Sequence, residues 1–288
     1  KELGLQVSIV SNGSGMKKIA QIAPLLDKND WVRLSLDSAE NDTFIAMHKP
    51  KRKITLNEIC EGVREVKKIN PDFPIGFSFI VTWKGAFIND EKIVENLPEI
   101  VDAAKRAKEY GFDYIAYKPF LTRAASNNAE VVDLTSSDEH FDNTVKALSA
   151  AVVEAKKHQS DSFRIIETTN LKVLQNRSAD NYSTQPKQCH MQFFRQVLSP
   201  LGMYNCPVYR NQEHGKVGSK NAYGTEEEFT ATREQTAERI QNFNATHECK
   251  DVTCLYNHAN WWIEKLISEP NKFDEIEPND AGEPDFFL

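Results

Sequence analysis

The sequence predicts an α/β protein in which a parallel sheet or barrel is followed by a smaller, cysteine-bearing unit. Short apolar segments bounded by turn residues alternate with amphipathic helical patterns through the first 120 residues. Those segments are apolar on both faces, as strands covered on two sides by βαβ crossovers must be. Four of the five cysteines fall after residue 188, beyond the alternating part.

Taken in order, Lys1–Leu5 reads as the last turn of a helix closed by Gly4. Strands are predicted at Gln6–Val10, Val32–Leu36, Ile75–Val81 and Tyr114–Tyr117. Between the second and third, Thr55-Leu56-Asn57-Glu58 has the form of a capping box, and Leu56, Ile59, Val63 and Val66 follow at helical spacing. Cys60 lies within that stripe, so core packing is its expected role. The next helix carries Ile93, Leu97, Ile100, Val101, Ala104 and Ala107 and stops at Gly111. A polar stretch from Thr122 to Ser137 breaks the rhythm. Ser136-Ser137-Asp138-Glu139 then starts a helix with Phe141, Val145, Leu148 and Val152 on its apolar face, and Phe163–Ile166 supplies a further strand.

From Asn176 to Gln188 the chain reads as a polar linker. Beyond it a hairpin is predicted, Phe193–Leu198 with Met203–Val208, turning at Ser199-Pro200-Leu201-Gly202. A long helix from Thr225 and a final helix with Trp262, Ile263 and Leu266 follow, then an acidic tail from Glu269 to Leu288. The domains predicted are residues 1–180, 181–268 and the tail 269–288.

Composition narrows the function classes. The 288 residues carry 35 basic and 42 acidic side chains, a net charge of -7, which argues against a nucleic-acid surface. No apolar run approaches the roughly 20 residues of a membrane span, so no membrane partner is expected. Gly and Pro, 12 each, are too few for a collagen-like or low-complexity chain. No signal-peptide pattern precedes the first strand, and a cytoplasmic location is expected. Opening at Lys1 inside a structural pattern, the chain reads as a piece of a longer one.

The late cysteines carry the chemistry. Cys189 precedes the predicted hairpin, Cys206 lies in its second strand, and Cys249 and Cys254 bracket Lys250-Asp251-Val252-Thr253. Two cysteines from a hairpin and two from a knuckle before a helix suit one centre, and thiolates serve both iron–sulfur clusters and structural zinc. Unrelated buried thiols and disulfides remain as alternatives. The odd count and absent signal pattern speak against disulfides. His190 and His247 neighbour two of the cysteines, and such adjacency makes them polar neighbours rather than ligands.

Read together, the two halves resemble one family. Ser11-Asn12-Gly13 after a strand, Ser35-Leu36-Asp37 after the next, a strand ending before Asn89, and Tyr114-Ile115-Ala116-Tyr117-Lys118-Pro119 resemble the radical S-adenosylmethionine (SAM) superfamily. They look like the third to sixth strands of its partial (β/α)6, TIM-like barrel. Cys189, Gly202, Cys206, Cys249 and Cys254 are similar to the pattern of its SPASM or twitch auxiliary-cluster domains, small units of a β-hairpin and helices. The resemblance covers about residues 1–268. It departs from the family in four respects. The Cys-x3-Cys-x2-Cys of the catalytic cluster and the Gly-Gly-Glu segment are absent, and Gly282-Glu283-Pro284 sits in the tail with no strand before it. The Gly202-to-Cys206 gap is one residue shorter than the common form, and Cys249-x4-Cys254 is wider than the usual closing pair.

The resemblance implies an oxidoreductase or a peptide- or metabolite-modifying enzyme that abstracts hydrogen through a 5′-deoxyadenosyl radical. It implies SAM, an auxiliary [4Fe–4S] cluster on Cys189, Cys206, Cys249 and Cys254, and a second [4Fe–4S] cluster in a missing N-terminal part. Ser11 and Ser35 match positions that bind the methionine portion of SAM, with Asp37 in the same shell; a helix N-cap is the alternative role for each serine. Tyr117 and Lys118 fall at the expected adenine edge. Lys84, Arg123 and Tyr182 are further candidates near the barrel mouth. A peptide or small molecule is the implied substrate, and a reductase or flavodoxin-type protein the electron donor. The competing reading is a non-catalytic scaffold or binding module that keeps a zinc or iron–sulfur site.

Overall fold

The computed structural model describes residues 1–84, 87–88, 91–123, 130–131, 139–250, 252–254 and 256–277. It divides into two compact units, the described parts of Lys1–Phe120 with Thr135–Asn176, and of Leu121–Leu134 with Arg177–Asn279.

The first unit is built on five parallel strands. These are β1 (Ser8–Ser11), β2 (Trp31–Ser35), β3 (Ile75–Val81), β4 (Tyr114–Pro119) and β5 (Arg164–Glu167), hydrogen-bonded in that same order. The helices between them are α1 (Met16–Ile22), α2 (Asn41–His48), α3 (Leu56–Ile69), α4 (Ile100–Glu109) and α5 (Glu139–Lys156), with α6 (Thr169–Asn176) after the last strand. Strand after strand laid down in parallel, with a helical crossover each time, is the βαβ plan of a partial barrel or open α/β sheet.

Local chemistry sets the helix ends. The Thr55 hydroxyl accepts from the Glu58 N–H at 3.1 Å and the Glu58 carboxylate accepts from the Thr55 N–H at 2.7 Å, completing the box that starts α3. At the end of α4, the Gly111 N–H reaches the Lys108 carbonyl and the Phe112 N–H reaches that of Ala107. This is a Schellman ending, and Gly111 takes the positive φ of 80° that it requires. Helix α4 is shorter than its apolar pattern implies. Pro98 falls in a 3-10 turn over Leu97–Glu99, and Ile93 and Leu97 precede the helix. Lys1–Leu5 forms a turn rather than a helix end, closed by the Gly4 N–H on the Lys1 carbonyl.

Side-chain alternation gives the sheet two different faces. Val32, Leu34, Phe77, Phe79, Ile115 and Tyr117 share one face and are fully buried, with Phe77 against Phe112 and Phe79 edge-on to Tyr117. The other face carries Arg33, Gly76, Tyr114 and Arg164 in one row, Ser35, Ser78, Ala116 and Ile166 in the next, and Ile80 beside Lys118 at the carboxyl edge. Gly76 is needed there: a Cβ on it would lie 2.0 Å from the Tyr114 ring.

The second unit has less regular structure. A short helix α7 (Asp180–Ser183) lies within the predicted linker, which the sequence presents as loop because it is polar and only one turn long. Strands β6 (Val197–Ser199), β7 (Gly202–Tyr204) and β8 (Lys216–Gly218) form an antiparallel sheet in that order. The hairpin turns where predicted, but its strands are three residues each and β8 adds a third. Helices α8 (Glu226–Asn242), α9 (Ala245–Glu248) and α10 (Asn257–Ser268) complete it. The Gly-Glu-Pro segment at 282–284 and the start of α5 at 136–138 lie outside the described residues. No described helix is long and apolar enough to cross a membrane.

Candidate functional sites: a strand-end ionisable cluster and a four-cysteine centre

In open parallel sheets, ligands bind beyond the carboxyl ends of the strands, and the first unit gathers its ionisable side chains there. Asp37 follows β2 in a left-handed conformation (φ 52°) and is buried. Its Oδ1 accepts from the Ile80 N–H at 2.7 Å, and its Oδ2 lies 3.4 Å from His48 Nε2. Burial pushes the Asp37 carboxyl up to about 6, opposed by the Ile80 hydrogen bond and by the charges of His48 and Lys118. Lys118, near the end of β4, is pushed down to about 8 by burial and by the Arg33 guanidinium, while Asp37 pulls the other way. An acid and a base whose titrations straddle neutrality, both at strand ends, are equipped to hold and move protons.

Asn96 stabilises this edge. Its Nδ2 donates to the Asp37 and Ile80 carbonyls at 2.7 and 2.8 Å, and its Oδ1 accepts from the Thr82 N–H at 2.7 Å. The amide thereby ties the turn after β2 to the end of β3.

The other predicted contacts are placed as follows. The Ser11 hydroxyl accepts from the Gly13 N–H at 3.1 Å and shapes the turn after β1. Asn12 does the same for Ser14. Ser35 ends β2 beside Ser78, in the row next to Lys118 and on its face. Tyr117 is on the opposite face, fully buried, and its hydroxyl donates to the Ile100 carbonyl at 2.6 Å. A side chain so engaged belongs to the packing beneath α4. Lys84 is exposed beside a cavity of about 400 Å³ lined by Ile93, Val94 and Glu95. Arg123 lies in a two-residue strand, and its side chain is outside the described residues.

In the second unit all four late cysteines come together as free thiols. Cys189 and Cys206 are buried with Tyr209, Phe243 and Ala245, and Cys249 packs against them. Cys254 is close enough that the charges of Cys189 and Cys206 bear on it. Cys189 immediately precedes a 3-10 turn over His190–Phe193, from which the Met191 and Gln192 N–H groups favour its thiolate. Cys206 lies two residues beyond β7 rather than within it, in a turn with Pro207, which cannot donate to a ladder. Cys249 caps α9, and the Cys254 N–H is held by the Tyr182 carbonyl at 3.1 Å. The Tyr182 ring meets His258 edge-on, so its part is to place Cys254.

Burial raises the Cys189 and Cys254 thiols and pushes Cys249 up to about 12, with the neighbouring sulfurs adding to it. Without a cation among them these sulfurs stay protonated; a bound metal would remove the protons outright. Polar groups already face them. Tyr209 Oη lies 3.7 Å from Cys249 Sγ, and Asn260 Nδ2 donates to Cys189 Sγ at 3.9 Å. Arg195 Nη2 donates to Cys206 Sγ at 3.6 Å, while its buried Nε has no partner among the described residues. An orphaned donor beside four soft sulfurs fits a centre that would supply acceptors such as inorganic sulfide. Among the described residues no group of three or more His, Cys, Asp or Glu side chains is placed to hold a metal ion. His190 is engaged with Glu264 at 2.5 Å, and His247 is exposed. Cys60 is fully buried in α3, its thiol pushed up to about 12 by that burial, and belongs to the core of the first unit.

Arg33, His48 and Asn96 were missed from sequence, as was Arg195. Arg33 alone left a local signal, a cation between Val32 and Leu34 in an otherwise apolar strand. The others act across long sequence separations.

No family model matches the sequence, and no curated protein matches it. Among solved structures the chain is similar to BtrN, crystallised in complex with AdoMet and 2-DOIA, with 11% identity over 86% of this chain and 92% of that chain and a TM-score of 0.29. A likeness at that level assigns no role to any residue of this chain.

Proposed function

We propose that the protein is a radical SAM enzyme with one auxiliary [4Fe–4S] cluster, held by Cys189, Cys206, Cys249 and Cys254, that oxidises or otherwise modifies a peptide or small polar metabolite. The observation that carries this reading is the gathering of four cysteines from three parts of the chain, two of them buried and two half-buried, into one neighbourhood with N–H donors facing it. SAM and a catalytic cluster, when bound, would supply hydrogen abstraction; the three-cysteine segment for that cluster is not among these 288 residues. The parallel sheet would present the substrate side of the reaction. Ser35 and Ser78 offer hydroxyls on the face that also carries Lys118, and Asp37 and Lys118 hold or release protons at the carboxyl edge. A centre with four cysteine ligands leaves no iron open to substrate, which favours an electron-accepting role and an oxidative outcome. The one-electron partner would be a reductase or flavodoxin-type protein, and the compartment the cytoplasm.

The competing reading, a zinc-bound or otherwise non-catalytic scaffold, draws on the missing catalytic motif. Anaerobic purification with iron, sulfide and zinc assays separates the two. Four irons with matching sulfide and a brown protein are expected. Stoichiometric zinc in a colourless sample would overturn the cluster.

A further inference from the structure

Arg195 stands out among the side chains around the sulfur pocket. Its guanidinium lies 4.2 Å from the centre of the Tyr256 ring, a stacking that fixes the plane of the group. Nε–H and one Nη2–H of an arginine point the same way, along one edge of the fork. Nη2 reaches Cys206 Sγ, and Nε, on the same edge, is buried without an acceptor. Among the described residues no carboxylate pairs with Arg195. The cavity of about 730 Å³ that it borders with Gln192, Phe194 and Arg233 has no acidic residue in its lining. Among the described residues, then, nothing acidic offsets the cation beside these sulfurs.

We propose that Arg195 sets the reduction potential of the cluster, donating from its Nε–Nη2 edge to the Cys206 sulfur and to a neighbouring inorganic sulfide. This rests on the cluster reading above. Uptake of one electron adds one negative charge to a centre already carrying four thiolates. A fixed cation and N–H···S hydrogen bonds stabilise that reduced state more than the oxidised one and raise the potential. Arg195 is a positioning residue here, acting through the sulfurs.

The test uses the full chain, loaded anaerobically and titrated with dithionite as the electron source, the reduced cluster being followed by electron paramagnetic resonance and iron counted per chain. At the potential where the wild type is half reduced, Arg195→Met is expected to show a reduced-to-oxidised ratio about tenfold lower, a negative shift of about 59 mV for a one-electron couple. Arg195→Lys, which keeps the charge but loses the fork, is expected to shift about half as far. Tyr256→Leu, which frees the guanidinium without removing it, is expected to shift less again. An unchanged midpoint in Arg195→Met with iron retained would overturn the proposal. So would loss of iron from both Arg195 variants while the wild type keeps it, because Arg195 would then be needed for assembly rather than potential. A wild type that binds no iron brings down the cluster reading itself, and the iron count reads that apart from any change in potential.

Discussion

The two units are stabilised by different means. In the first, five hydrogen-bonded strands carry a face of Val32, Leu34, Phe77, Phe79, Ile115 and Tyr117 with no exposed surface, and burial of that kind contributes about 1.5–3 kcal/mol for each large side chain. In the second, the strands are three residues long, and α8, though 17 residues, buries only Thr232. Its principal cluster contains Cys189 and Cys206 beside Tyr209, Phe243 and Ala245. The first interior is complete in hydrocarbon. The second is partly made of sulfur, and on the proposed reading its stability depends on the centre that sulfur would hold.

The sharpest way to break that contrast is to remove the centre. Chelation under reducing conditions, or Cys206→Ser, is expected to abolish amide-exchange protection through residues 189–206 and 245–268 while leaving 75–81 and 114–119 protected. Equal protection in the second unit with and without metal would mean that its hydrocarbon suffices. The reverse experiment is Gly76→Ala. The new Cβ meets the Tyr114 ring at 2.0 Å inside a central strand, and overpacking of that severity is expected to cost about 3 kcal/mol or more. Denaturant melts should show the first transition move while the metal-dependent one stays.

A smaller and opposite effect is expected at the strand ends. The Asp37 carboxyl is raised from 3.8 to about 6 because burial disfavours its charge. The folded state therefore binds the proton more tightly than the unfolded one, and stability falls as pH rises between about 4 and 6. Asp37→Asn keeps the acceptor for the Ile80 N–H, and asparagine tolerates the left-handed backbone. It is expected to match the wild type at pH 4 and to exceed it by up to about 3 kcal/mol at pH 7. Parallel melts at the two pH values check this; no gain at pH 7 would mean that His48 and Lys118 fully compensate the buried charge.

Much of the fold was legible because its signals are local. A capping box needs four consecutive residues, and Thr55 to Glu58 supply them. The Gly111 ending, the apolar strands and the stripe of α5 are likewise written within a few turns of chain. Helix α6 went unread because Thr169–Asn176 offers only Leu171, Val173 and Leu174 to bury, too few to distinguish a helix from a buried strand. Strand β8 is three residues long and exists only through its pairing with β7. The cysteines showed by count and position that a centre was worth expecting. The groups that complete each site gave no such notice, because their partners are distant: Arg195 stacks on Tyr256, and Asn96 reaches back to Asp37.

Asn96 makes the arrangement of the carboxyl edge hard to alter piecemeal. It satisfies two carbonyl acceptors and one N–H donor with a single side chain, a combination that only a carboxamide can offer. Aspartate would set a carboxylate oxygen against both carbonyls, and a hydroxyl could not span all three groups. The turn bearing Asp37 and the strand end bearing Ile80 are thus mechanically one part. A ligand that presses on either displaces both, so the edge answers to binding as a rigid jaw rather than as two independent loops.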